Sequence, residues 1–187
     1  MNGFQLKEYW RYWRAAKGRH GVHSPAVYRF VAEALRPLDR HFKNVPAYSS
    51  DSAELWQSDM LMRRVVHHFR FREIVVPSTD DLRHDIFRAT AAIADDRSQE
   101  TFDRLQDWRA IAPEFWLDRF KKDLGQLGRN DVIAVHGIHQ SVQHAEAWRM
   151  LIGQPEVRLS IDLFRVGLLF FSEDFKERQH FVLKYPL

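Results

Sequence analysis

The sequence predicts a single α/β domain with N-terminal helices, a reduced and mostly parallel sheet, and a C-terminal antiparallel hairpin. Three observations predict it. Strand-type and helix-type segments alternate between residues 73 and 152, the pattern of parallel strands joined by crossover helices. The closing segments VRLSIDL, GLLFFS and HFVLKY follow one another without a helix, the first two close enough to pair as a hairpin. Ahead of the first strand signal, residues 4–17 and 26–36 carry helical periodicity.

In residues 4–17, FQLKEYWRYWRAAK, the positions Phe4, Leu6, Tyr9, Trp10 and Trp13 lie largely on one side, and Lys7, Arg11 and Arg14 toward the other. Gly18 is a natural stop. Ser24 is placed to cap the next helix, AVYRFVAEALR, with Pro25 in its first turn and Pro37 beyond its end. Residues 37–50 read as a loop. Asp51 or Ser52 opens a third helix that runs to about Phe69. EIVV at 73–76 is a short apolar strand closed by Pro77, followed by a helix from Thr79 or Asp80 to about Ala89. ATAAIADD reads as a second strand, and residues 99–110 and 114–125 read as helices. DVIAVH has the character of a buried strand. SVQHAEAWRML is a helix stopped by Gly153 and Pro155, and the three closing strands follow.

A chain of 187 residues suits one domain and buries roughly two-thirds of its unfolded surface. Residues 1–50 read as a helical arm and cap, and residues 51–187 as the α/β core. Apolar content of 45% and charged content of 28% are ordinary for a globular protein. The absence of cysteine excludes disulfides, thiolate metal sites and a thiol nucleophile. Residues 1–18 carry Lys7, Glu8, Arg11, Arg14 and Lys17, so no secretory signal is expected, and no apolar run reaches the ~18 residues of a membrane span. A cytoplasmic location without membrane association is the expectation. The formal charge of +3 is uneven: residues 1–25 carry +4 and the rest −1.

The C-terminal segment carries a set of residues in order: Ile138, His139, Ser141, Glu146, Ala147, Trp148, Pro155, Val157, the run Ile161-Asp162-Leu163-Phe164, Gly167, Phe170, Phe171, His180 and Phe181. Near the start stands His20-Gly21-Val22-His23-Ser24-Pro25. On these residues the chain resembles a group of bacterial class I S-adenosylmethionine-dependent methyltransferase-like proteins that share an HGVHSP segment. The resemblance covers about the first 35 and the last 55 residues. It implies a Rossmann-like methyltransferase fold, with the cofactor across the carboxyl ends of the first strands and the terminal hairpin as an antiparallel edge.

The middle departs from that family. The loop after the first strand is normally glycine-rich so that backbone amides approach the cofactor. Here it reads Pro77-Ser78-Thr79-Asp80-Asp81, and no glycine occurs between Gly21 and Gly125. The paired acids the family carries after the strand matching DVIAVH are replaced by His136-Gly137. The span between the first strand and DVIAVH is too short for the usual three intervening strands.

Residues 77–81 read as a helix cap, with a modified cofactor loop as the alternative. Ser78, Thr79 and Asp80 are then the cofactor-binding candidates, with Asp95 and Asp96 as substitutes for the ribose acid. His136, at a strand's carboxyl end, is a candidate general base, and His139 a pocket residue. With His144 they have a metal-like spacing, but no metal site is expected, because further ligands and their supporting shell are missing. His67-His68 reads as a helix surface pair, and Asp162 as a residue of hairpin geometry or pocket edge. His20, His23 and Ser24 fit either a lid over the cleft or a turn that docks the arm.

The expectation is a degenerate methyltransferase-like domain that no longer methylates, needs no cofactor, and binds a small molecule or a protein. An active enzyme using S-adenosylmethionine with an atypical loop is the alternative. A nucleic-acid or partner module built on the basic aromatic arm is a third reading, but nucleic acid is not expected, because +4 is a small excess. A homodimer through the aromatic helix is reasonable.

Overall fold

The computed structural model describes residues 2–18, 22–35, 53–76 and 102–185. Helix α1 spans Gly3–Ala15 and opens with a reciprocal box: Gln5 N–H donates to the Asn2 side chain, and Asn2 N–H donates to the Gln5 side chain. Helix α2 spans Pro25–Glu33, two to three residues shorter than its periodicity predicts. Ser24 holds its N-cap position, yet the side chain makes no capping bond, so Pro25 alone supplies the start signal. Helix α3 spans Ala53–Phe69 and buries Leu61, Met62, Val65, Val66 and Phe69.

Strand β1 is Glu73–Val75 and strand β2 is Arg104–Asp107. The helix expected over residues 99–110 is therefore overturned. Its charges resemble a helix surface, but β2 pairs in parallel with β1 on one side and with strand β3, Asp131–His136, on the other. Two neighbours satisfy its backbone, and Leu105, Gln106 and Asp107 are buried. A 3₁₀ turn leads into helix α4, Trp116–Asp123, and helix α5 is Val142–Ile152. Strands β4, Leu159–Asp162, β5, Val166–Phe170, and β6, Gln179–Val182, close the chain. The strand expected at ATAAIADD and the helix expected after Pro77 lie outside the described residues.

Among the described residues the strands form a mixed six-stranded sheet in the order β1-β2-β3-β5-β4-β6. Strand β5 runs antiparallel to both β3 and β4, while β4 and β6 are parallel. The β4–β5 hairpin forms as expected, but the antiparallel strand is internal rather than at the edge. Every residue of β5 is buried, so it needs cover on both faces and both sides. Strand β6, with His180 exposed, tolerates the outer position.

Strand β3 is buried on both faces and divides the interior. Val132 and Ala134 join a core under α2 and α3, with Phe30, Met62 and Phe69. Ile133 and Val135 join a second core under α4 and α5, with Trp116, Phe120, Trp148 and Leu151. At the start of β2 and β3, Asp131 Oδ2 accepts from Arg104 Nη2 at 2.7 Å and from Gly128 N–H at 2.9 Å, fixing the register there. The opposite ends of these strands are left for the site.

The arm is part of the domain. Tyr12 is buried, its hydroxyl donates to the Leu183 carbonyl, and it accepts from Tyr185 N–H at 3.0 Å. Lys17 N–H donates to the Val182 carbonyl at 2.8 Å, in a parallel bridge to Leu183. The aromatic positions do not form one stripe. Tyr9 and Tyr12 pack on Phe164, whereas Leu6, Trp10 and Trp13 stay 58%, 61% and 40% exposed. The docked face is set by Tyr9, Tyr12 and Ala16, at i, i+3 and i+7, about a quarter-turn from the exposed set. Arg14 lies over the Trp10 ring. No helix among the described residues is long and apolar enough to cross a membrane.

Gly167 lies opposite Val135 in the sheet, beneath the Trp148 indole. A Cβ there would meet the ring at 2.5 Å. Gly167→Ala is expected to destabilise the fold by about 1–3 kcal/mol through overpacking, measured by urea unfolding. Gly167→Ala with Trp148→Leu should recover part of that loss, and an undiminished midpoint in the single variant would refute the close approach.

Candidate functional site

The carboxyl ends of β2 and β3 open on a cavity of about 210 Å³. Arg109 and Ile111 follow β2, and His136, Gly137, His139 and Gln140 end β3 and its turn. His144 of α5 and Phe164 and Arg165 of the β4–β5 turn close one side, while Gln5 of α1 and Ser58 of α3 close the other. Ligand clefts of open α/β sheets lie at this end of the strands.

Gly137 makes the turn that brings His136 and His139 to one cavity. Its φ is +71°, a left-handed conformation, and its N–H donates to the Arg165 carbonyl at 2.7 Å. Ser141 then caps α5: its hydroxyl accepts from His144 N–H at 3.3 Å and lies 2.8 Å from His144 Nδ1.

Asp107 and His136 are the ends of adjacent parallel strands. His136 Nε2 lies 2.9 Å from Asp107 Oδ1, a close contact off the line of a good hydrogen bond. Asp107 Oδ1 also accepts Arg109 N–H at 3.0 Å. Burial alone would raise the Asp107 carboxyl, but His136 first and Arg109 second outweigh it and hold it below the usual carboxylate range. The Arg109 side chain turns toward α3, where Nη1 lies 2.7 Å from Asp59 Oδ1.

His139 sits between two acids. Its Nε2 lies 2.7 Å from Asp162 Oδ2, and its Nδ1 lies 3.3 Å from Glu8 Oε2 on α1. Phe164 stacks on the imidazole with ring centroids 5.2 Å apart and planes 12° from parallel. Phe164 is a non-glycine residue at φ +66°, a strained position held by its N–H donating to Asp162 Oδ1 at 2.8 Å. Burial lowers the His139 pKa, but the Asp162 hydrogen bond and charge, helped by Glu8, raise it above the ordinary value.

Chemically, the Asp107–His136 pair orients an imidazole at the cavity wall, the arrangement of a proton-transfer group. His136 and His139, the two predicted site residues, line the same cavity. His144 lines it too, but among the described residues no group of three His, Asp or Glu side chains is placed to hold a metal ion. Asp162 takes part in hairpin geometry, its Oδ1 accepting Phe164 N–H, and is not among the residues that line the cavity. His23 is exposed and Ser24 precedes α2, and neither is among the lining residues. His20, Ser78, Thr79, Asp80, Asp95 and Asp96 lie outside the described residues. His68 is not a surface residue: its side chain is 11% exposed and packs on Phe30 and Phe69. Sequence reasoning missed Asp107 and Arg109, because they stood inside the expected helix 99–110. It also missed Glu8 and Asp59, for which no local signal exists.

These histidines give opposite pH limbs. His139 is favoured in its protonated form, so its ion pairs stabilise the fold fully below the ordinary value of 6.5 and are lost as pH rises through the raised value. Burial, with Arg29 and His67, lowers His68 to about 4, so it folds neutral. Its contribution is full above 6.5 and is lost as pH falls toward 4. Unfolding free energy measured from pH 4 to 9 should fall on both sides of about 6.5. His139→Gln should flatten the alkaline limb, and His68→Phe should reduce the acid one, to which His144, His180 and Asp107, also shifted down, contribute. An alkaline limb unchanged in His139→Gln would remove His139 as its source.

Compared with known protein families, with curated proteins and with solved structures, the chain finds no match in any of the three.

Proposed function

We propose that this chain is a methyltransferase-like α/β domain that binds a small molecule at the ends of β2 and β3 and does not transfer a methyl group. The residues at both ends of the sequence support the resemblance. The described strands β1, β2 and β3 pair in parallel in that order, as a parallel α/β sheet requires. The observation that carries the binding reading is the position of the cavity. Its described lining comes from beyond β2 and β3, from the β4–β5 turn and from α1 and α3, and none of it from β1 or Val76.

A second reading has one observation in its favour. The Asp107–His136 pair would serve the deprotonation of a methyl acceptor, as an active enzyme requires. Titration calorimetry of the full chain with S-adenosylmethionine separates the two, together with mass analysis of small molecules released from the purified protein. The expected result is no saturable heat and no released cofactor. Binding near micromolar affinity, or co-purified S-adenosylmethionine, overturns the proposal in favour of the second reading.

A further inference from the structure

Helix α1 has a second face that the domain does not cover. Leu6, Trp10 and Trp13 are 58%, 61% and 40% exposed. At about 100° per residue they fall within about 60° of one another, so they form one apolar strip along the helix. Large apolar side chains gathered on one exposed face mark a contact surface.

Cations border this strip on both sides. Lys7 and Arg14 are exposed next to it around the helix, and the Arg14 guanidinium lies 4.6 Å from the Trp10 ring centroid. On the side of the domain, Lys184 Nζ lies 5.1 Å from the Trp13 ring centroid. The helix has one acid, Glu8, and it is turned elsewhere: its carboxylate meets Arg11 at 2.7 Å and His139 at 3.3 Å. The face is apolar and positive, with no helix carboxylate to balance it. It is also held in place, because Tyr12 bonds to the Leu183 carbonyl and the Tyr185 amide from another side of the helix.

These features select a partner. A second copy joined through the same strip would set cations against cations, since a two-fold contact pairs a patch with itself. Nucleic bases stack on open ring faces, and Trp10 and Trp13 each carry a cation over one. An anionic phospholipid surface fits the whole arrangement. Tryptophan and leucine settle at the boundary of headgroups and acyl chains, flanking lysine and arginine meet the headgroup phosphates, and such a helix lies flat.

We propose that α1 lays its Leu6, Trp10 and Trp13 strip on an anionic phospholipid bilayer, with Lys7, Arg14 and Lys184 on the headgroups. This is a surface contact and not a span. It departs from the expectation of no membrane association read from the sequence, and it is independent of what the cavity binds.

The test is co-sedimentation of the full chain with vesicles of phosphatidylcholine alone and of phosphatidylcholine mixed with phosphatidylglycerol. The mixed vesicles should bind the protein, and the neutral ones about tenfold less or weaker still. Raising salt from about 0.1 M to about 0.5 M should weaken the binding. Leu6→Ser with Trp10→Ser should weaken it by about tenfold or more. Lys7→Gln with Arg14→Gln should erase most of the preference for the mixed vesicles. All four side chains are exposed, so both variants should keep the unfolding midpoint of the parent chain. A folded variant of either pair that binds mixed vesicles like the parent chain overturns the proposal, and so does a parent chain that does not bind them. If the parent chain instead binds an oligothymidine strand, or self-associates, and Leu6→Ser with Trp10→Ser abolishes that, the face belongs to nucleic acid or to a second copy and the proposal fails.

Discussion

Strand β3 is the element on which the rest depends. It is flanked by β2 and β5, and its side chains alternate between two separate cores. Val132 and Ala134 meet the helices of one face, and Ile133 and Val135 those of the other. Such a strand has no solvent face and little freedom of register, because a shift by one residue would exchange its two sets of side chains. That rigidity passes to its last residue. His136 is held at a defined point, one strand away from Asp107, and Gly137 turns the chain sharply enough to return His139 to the same cavity.

The site is built by placing acids behind histidines. A carboxylate taken out of water without a partner is costly, so a buried acid must be paired. Asp107 meets His136, and Asp162 divides its two oxygens between His139 and the Phe164 amide. The same pairing that makes the acids tolerable orients the imidazoles toward the cavity. Electrostatics and geometry are thus one design, and the strained Phe164 belongs to it, because its ring lies flat on His139.

The N-terminal helix completes this site rather than decorating the domain. Glu8 reaches His139, Gln5 lines the cavity, and Tyr12 is locked to the last strand segment by two hydrogen bonds. The N-terminal helix therefore packs on both the last strand segment and Phe164 of the β4–β5 turn. Leu6, Trp10 and Trp13, about a quarter-turn round the same helix, stay exposed.

Much of the frame was legible in the sequence, because its signals are local. DVIAVH has no polar position inside it, SVQHAEAWRML carries a cap and a stop, and the terminal segments alternate or run apolar as strands do. His136 and His139 were legible for the same reason: they follow a strand whose end is unmistakable. Residues 104–107 were not legible, because a charged four-residue strand is defined by its two neighbours and not by its own pattern. Asp107 and Arg109 were hidden with it. The inner position of β5, the pairing of Glu8 with His139 and that of Asp59 with Arg109 join residues far apart in the chain. The sequence by itself determined the α/β class, most elements and two of the site's histidines. Only the tertiary structure decided strand order and the partners that make those histidines a site, because burial and charge pairing arise between elements and leave no trace within any one of them.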